Sequence, residues 1–437
     1  MQRRPIKQLA CIAMCWIMMT MPAQAVTLLR DAGIEHGLSK LAAPILRAAQ
    51  LNPNQIKILV VQDDQPNAFV TDPWHIFVTS GLIQRLETAA QIQSVLAHEA
   101  AHIANGHLSR RRANARASQT AAGIGMALAA ATGALTNNGQ AATGLVLGLQ
   151  SSAERRFLSH TRAEESAADL ASVRILRRAD VDPHATLDVL RIFEGQESLA
   201  AHRQDPYVRT HPFSRARIRA LQALIETGPK IPPNADAAYW YTRLQAKLSA
   251  FQRSPNWSLR RAKADPYADV AALRRAVAHH RLADLASALR EIDRALALRP
   301  KDGFLLDLKA EILLKNRQFS EAARVYATAV TQTDGHALVL GGHGRALLAN
   351  GDLTNALPVL VSARTKDVAD ARVLRDLAVA YARSKKPGMA SVVTAERYMI
   401  QGRPNDARLH AKRAADQLPR GSEAWNRAMD VLHATKP

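Results

Sequence analysis

The sequence predicts two architectures in series: an α+β domain, mostly helical with a small sheet, and then an all-α solenoid of paired helices. Two observations predict this. A β-rich run, Ile76-Phe77-Val78-Thr79, leads into a helical stretch carrying His98-Glu99-Ala100-Ala101-His102. Farther on, Ala288/Ile292/Ala295 recurs 34 residues later (322 − 288) as Ala322/Tyr326/Ala329, and after the same interval as Ala356/Leu360/Ala363. With 437 residues, 47% of them apolar, the chain is long enough for two or three separate cores.

The first 25 residues read as a secretory signal. Arg3, Arg4 and Lys7 form a basic n-region, Leu9 to Met19 an apolar core, and Ala23-Gln24-Ala25 an A-x-A site with cleavage after Ala25. Both cysteines, Cys11 and Cys15, fall inside it, so the exported chain has no disulfide. The expected compartment is the periplasm. No later segment holds the ~18 uninterrupted apolar residues of a membrane span. The formal charge of +20 becomes +17 (20 − 3) once Arg3, Arg4 and Lys7 leave. That charge suits anionic lipid, lipopolysaccharide or acidic proteins, while the compartment argues against nucleic acid. Lys and Arg are scattered, so charge by itself assigns no role.

The α+β domain is placed at residues 26–255. Thr88-Ala89-Ala90-Gln91 reads as a capping box that opens a helix. Ile92, Val95, Leu96 and Ile103 then recur at helical spacing and supply its buried face. His98 and His102 lie one turn apart on that helix, so both imidazoles reach one cation. Glu99 sits beside the ion rather than on it, which suits a general base for water activated at a metal. With 15 His and 14 Glu in the chain, about 0.016 such five-residue matches are expected by chance, so the pattern is a signal. The strand before the helix fits a zincin-like layout. Ile76, Phe77 and Val78 are read as its substrate edge, able to hold an extended peptide by main-chain hydrogen bonds.

A catalytic zinc takes three protein ligands and keeps one position open. A third His in the pattern H-E-x-x-H-x-x-G-x-x-H is excluded, because Asn105 and Leu108 stand where Gly and His are required. A Glu from a second helix is the other solution. In Glu164-Glu165-Ser166-Ala167-Ala168-Asp169, only Glu165 has a carboxylate four residues on. Glu165 is therefore the third ligand to one Zn2+ per chain, and Asp169 the acceptor for the second ring N–H of a ligand His. No organic cofactor is implied.

Residues 113–152 are rich in Ala, Gly, Thr, Leu and Met, and read either as a mobile flap or membrane-surface contact or as a packed helical hairpin. The breaker Gly228-Pro229-Lys230-Ile231-Pro232-Pro233-Asn234 is followed by a helical connector to about Ala264. From 265 to 437 the 34-residue step is the tetratricopeptide (TPR) period. A further copy, Ala407/Ala411/Ala414, comes 51 residues after Ala356 (407 − 356), one and a half periods on. Pro300 and Pro419 fall where such repeats close. Small Ala lets paired helices pack closely, and stacked pairs form a concave binding surface.

HEAAH followed by E-x-x-A-D resembles the HtpX-type zinc metallopeptidases, the group that contains the CAAX prenyl proteases. Asn67-Ala68-Phe69, Ser80-Gly81-Leu82-Ile83, and Thr210-His211-Pro212 with Arg217-Ile218 extend the likeness over about residues 60 to 220. Asp72-Pro73-Trp74 departs from it, standing where many relatives carry a Pro-Gly-Gly turn; this bears on the substrate edge, beside which the resemblance sets Asn67, and not on the metal site. Signal, peptidase core and repeats together resemble the periplasmic β-barrel assembly-enhancing proteases. That resemblance implies zinc endopeptidase activity on misfolded or stalled outer-membrane proteins. It also implies assistance to their assembly, and a partner in the barrel-assembly machinery held by the TPR domain. The alternative is a TPR chaperone or assembly adaptor whose proteolysis is incidental or latent. Pro212 keeps His211 off a helix. The resemblance gives His211 a latch role, filling the open zinc position in a latent state; stabilising an oxyanion beside the metal is the other role.

Overall fold

The computed structural model of the protein describes residues 27–110, 162–196, 199, 203–212 and 214–436. The signal read at 1–25 and the flap or hairpin read at 113–152 lie outside the described residues.

The sheet has four strands: β1 (Leu28–Leu29), β2 (Lys57–Val61), β3 (Ala68–Asp72) and β4 (His75–Thr79), in the spatial order β1-β2-β4-β3. In β2, the run Ile58 to Val61 is buried throughout, as suits an interior strand with both faces covered. β4 runs parallel to β2 and antiparallel to β3. This corrects one expectation. Ile76, Phe77 and Val78 belong to β4, which has a neighbour on each side, so they are not a substrate edge. The physical reason is the turn at Asp72-Pro73-Trp74: it folds β3 back onto β4 as a hairpin and leaves β3 outermost. Trp74 N–H donates to Asp72 Oδ1 at 2.7 Å within that turn, and a bulge lies between Val70 and Asp72.

Helix α1 (Ala32–Ala48) is capped by Asp31, whose Oδ1 accepts from Ile34 N–H at 2.9 Å. Ile34, Leu38, Leu41 and Ile45 form its buried stripe in the core beneath the sheet. Each such side chain contributes roughly 1.5–3 kcal/mol by leaving water. The short α2 (Ser80–Arg85) leads to α3 (Ala89–Ala104), the helix of the HEAAH segment. The capping box at Thr88 and Gln91 forms as expected. Among the described residues this part also holds helical residues 107–110 and the helices α4 (residues 162–178), α5 (His184–Ile192), α6 (Pro206–Thr210) and α7 (Arg215–Glu226).

α8 (Ala235–Gln252) carries both cores. Tyr241, Leu244 and Leu248 pack into the core of α1 and α3, while Ala246 packs with Val270, and Ala250 with Ala272 and Leu273, all farther along the chain. After α9 (Pro255–Arg261) come ten helices: α10 (Ala268–Arg281), α11 (Leu285–Leu298), α12 (Gly303–Lys315), α13 (Phe319–Gln332), α14 (Ala337–Ala349), α15 (Leu353–Lys366), α16 (Ala371–Arg383), α17 (Pro387–Ile400), α18 (Pro404–Gln417) and α19 (Glu423–Ala434). This is the all-α TPR-type solenoid. The repeated alanines sit on α11, α13 and α15, fully buried at Ala288, Ala295, Ala322, Ala329, Ala356 and Ala363. Ala407, Ala411 and Ala414 lie on α18, and the half-period has a structural cause. Within each pair the turn holds a left-handed middle residue: Ala283, Arg317, Gly351 and Lys385. Gly402, between α17 and α18, repeats that turn with φ 66°, so one extra helix enters the array before the pattern resumes.

Candidate metal centre

α3 is sunk in the protein, with every residue from Gln91 to His102 buried. Its polar side chains therefore need partners. Gln93 donates to Leu41 O at 3.1 Å and Ser94 to Gln91 O at 2.8 Å, while His98, Glu99 and His102 face one point between helices. α4 brings Glu165 and Asp169 there from the other side. Glu165 Oε2 lies 3.2 Å from His98 Nε2, and Glu165 Oε1 lies 3.4 Å from His102 Nε2. The two imidazole Nε2 atoms are 3.1 Å apart. Glu164, the neighbour excluded by register, is not among the converging donors.

His211 completes the group. It follows α6 with φ −126° and ψ 74°, off the helix as Pro212 requires. Its Nδ1 is 3.2 Å from His98 Nε2 and 3.0 Å from Glu165 Oε2. Its Nε2 is 3.2 Å from Ala68 O of the edge strand and 3.3 Å from Glu99 Oε1. One donor atom from each of His98, His102, Glu165 and His211 falls within 4.8 Å of all the others. Tetrahedral zinc with bonds near 2.0–2.1 Å sets its ligands ~3.4 Å apart, and a set of imidazoles with one carboxylate is its ordinary donor chemistry. The residues fit that ion.

The electrostatics agree. Burial opposes a charge on His98, but hydrogen bonds to Asp169 and Glu165 overcome it and raise its pKa to about 10. The two carboxylates stand on opposite sides of this imidazole, Asp169 at Nδ1 and Glu165 at Nε2, and Glu165 supplies negative charge where a dication would sit. Burial dominates at His102 and depresses it to about 3, so this imidazole stays neutral. At Glu165 burial also disfavours the charge, yet His211, His102 and His98 together hold the carboxylate far below its usual range. Behind the ligands, Asp169 Oδ1 lies 3.3 Å from His98 Nδ1, which is the relation expected of it. Arg217 clamps Asp169, its Nη2 donating to Oδ1 at 2.9 Å; burial works against the Asp169 carboxylate, but Arg217 and His98 keep its pKa low.

The segment that carries His211 is tied to β3. Tyr207 N–H donates to Pro66 O at 3.2 Å and Thr210 Oγ1 to Asn67 Oδ1 at 3.1 Å. Asn67 therefore lies beside the site, immediately before the edge strand β3. Ile76, Phe77 and Val78 lie one strand farther in, on β4. Sequence reasoning missed the edge position of β3 and missed His107. The buried His107 ring meets His102, Nδ1 to Nδ1 at 2.9 Å, and its only sequence signal was a His following Asn105-Gly106.

Comparison with known proteins places this geometry. Residues 29–225 match the family described as Peptidase family M48. Over these residues the chain is similar to the peptidase domain of that family. The M48-like part and the solenoid together are similar to the β-barrel assembly-enhancing protease of Escherichia coli (strain K12), 23% identical over 403 residues that cover 90% of this chain and 81% of that one. The mitochondrial metalloendopeptidase OMA1 of Schizosaccharomyces pombe is 26% identical over 189 residues, 42% of this chain and 51% of its own. Among solved structures, a MamA protein from Desulfovibrio magneticus covers 37% of this chain and 93% of its own at TM-score 0.33 and 19% identity. YrrB, titled a TPR protein with an unusual peptide-binding site, covers 40% of this chain and 89% of its own at TM-score 0.32 and 20% identity.

Proposed function

We propose that this chain is a periplasmic zinc endopeptidase that degrades misfolded or stalled outer-membrane proteins and assists their assembly. The observation that carries the reading is the convergence of His98, His102 and Glu165 with Glu99 alongside. Bound zinc would polarise the scissile carbonyl and acidify a water. His98, His102 and Glu165 hold the ion. Glu99, buried and outside the ligand set, takes the proton from the attacking water and returns it to the leaving amine. The outer edge of β3 is where an extended substrate would add its own strand. The 23% likeness to a β-barrel assembly-enhancing protease supports the substrate class and a barrel-assembly partner on the TPR surface. The test compares wild type with Glu99→Gln for turnover of unfolded outer-membrane proteins in a periplasmic extract. Loss of turnover with zinc retained is expected, and equal turnover would overturn the reading.

One observation favours a second reading, in which proteolysis is latent and the solenoid serves as chaperone or adaptor. His211 Nδ1 stands where a fourth zinc ligand would, and its ring also engages Ala68 O at 3.2 Å, so one side chain closes both the ion and the edge strand. As a latch, His211 must leave before substrate enters. His211→Ala is then expected to give a more active, self-cleaving enzyme, measured as the rate of autoproteolysis. A slower enzyme would assign His211 to oxyanion stabilisation instead.

A further inference from the structure

Two imidazole nitrogens facing each other cannot both donate or both accept. His102 Nε2 points into the ligand cluster, 3.1 Å from His98 Nε2 and 3.4 Å from Glu165 Oε1. To offer a lone pair there, the ring must carry its proton on Nδ1. That atom meets His107 Nδ1 at 2.9 Å, so His107 accepts at Nδ1 and is neutral, with its own proton on Nε2. The rings stand nearly perpendicular, at 77° with centroids 4.9 Å apart, which puts the lone pair of one nitrogen in line with the N–H of the other. Both residues are buried, 2% and 1% exposed. An N–H left without an acceptor at such a place costs about 1–3 kcal/mol.

The local chain is built for this contact. Asn105 caps the C-terminus of α3, and Gly106 takes φ 67°, a left-handed value that glycine adopts without strain. Its N–H returns to Ile103 O at 3.0 Å, and the next residue comes back against the last turn of the helix. In the H-E-x-x-H-x-x-G-x-x-H pattern the glycine turn delivers a third ligand. Here the turn comes one residue later and delivers a His to the outer side of an existing ligand.

We propose that His107 is a positioning residue for the metal: it fixes the His102 tautomer and aims Nε2 at the ion, acting through a neutral acceptor. The two zinc histidines are thereby backed unequally. His98 leans on Asp169, whose negative charge is matched by Arg217. His102 leans on an imidazole that adds orientation and no charge, so the ion keeps more of its own positive charge for polarising a carbonyl.

This rests on the zinc reading above, and the experiment separates the two. Chelator competition measures the zinc affinity of the full chain as wild type, His107→Phe and His107→Asn, with thermal unfolding of each zinc-free form recorded alongside. Phe keeps the ring and deletes the acceptor, whereas Asn puts Oδ1 near the place of Nδ1. His107→Phe is expected to lose about 10–100-fold in affinity, and His107→Asn to recover to within about threefold of wild type. Wild-type affinity in the Phe variant would overturn the proposal. So would an Asn variant more than about tenfold weaker than wild type, a result that stands even if the Phe variant does not fold. Wild-type zinc binding unaffected by His98→Ala would overturn the zinc reading itself.

Discussion

Glu99 is fully buried within reach of His211 and contributes no donor to the metal cluster, so its carboxylate can be changed without touching the ligands. Glu99→Gln is expected to keep zinc and fold while hydrolysis falls by at least about 10²–10⁴, checked by metal analysis beside a peptidase assay. Glu165→Gln is expected to lower zinc occupancy and activity together, whereas Glu164→Gln leaves both nearly unchanged. Swapped phenotypes would mean that the register on α4 is off by one. Asp169→Ala is expected to weaken zinc by about 10–100-fold, since it strips the partner from His98 Nδ1 and leaves buried Arg217 to lean on the ligand Glu165 alone among these carboxylates. The convergence of these side chains was legible in the sequence because helix periodicity puts positions 98 and 102, and 165 and 169, on common faces. His107 was not legible in the same way. Its approach depends on one left-handed residue after the helix, and no spacing rule reports which side of a ligand the chain will return to.

Elements were legible wherever a period repeats and obscure wherever pairing is non-local. The 34-residue step identified the solenoid because each helix must bury the same small face against its neighbour. It also exposed the extra helix, once the turn at Gly402 is seen to copy those at Ala283, Arg317, Gly351 and Lys385. Sheet order was the opposite case. Nothing in Ile76-Phe77-Val78 distinguishes an interior strand from an edge, because that depends on β2 and β3 lying on either side of it. The solenoid offers its own test of close packing. At Gly342 on α14, a Cβ would lie 2.5 Å from Tyr326 Cε1 and 2.7 Å from its hydroxyl. An alanine gains about 1 kcal/mol of helix propensity there but must push aside a ring that is 4% exposed. Gly342→Ala is expected to destabilise by about 1–2 kcal/mol net, read as a lower melting temperature with zinc affinity unchanged.

The two halves of the molecule share a joint that composition did not announce. α8 serves both cores, and charged groups lock around it. Arg30 Nη2 donates to Asp367 Oδ2 of the solenoid at 2.5 Å, Lys247 Nζ lies 2.8 Å from Asp31 Oδ1, and Arg243 pairs with Asp302. At the centre, His36 of α1 stacks on Phe304 of α12 with centroids 4.1 Å apart, and His336 meets the other edge of that ring at 5.6 Å. Burial, with Lys40, Arg243 and His336 adding repulsion against a weaker pull from Asp302, depresses His36 to about 4. The unfolded chain takes up that proton near pH 6.5, and the folded one does not until about pH 4. Stability from neutral His36 is therefore complete above pH 6.5 and drains away as pH falls toward 4. His36→Phe keeps the stack on Phe304 and removes the titration. Other groups titrate in the same range, including Asp307, which burial raises to about 7 and which acts in the opposite sense, so the informative quantity is the difference between variant and wild type. That difference is expected to shift by about 2 kcal/mol in favour of His36→Phe between pH 7 and pH 5, measured by thermal unfolding of the whole chain. A difference that stays constant across this range would mean that His36 is protonated in the folded joint and that its stacking on Phe304 survives the charge.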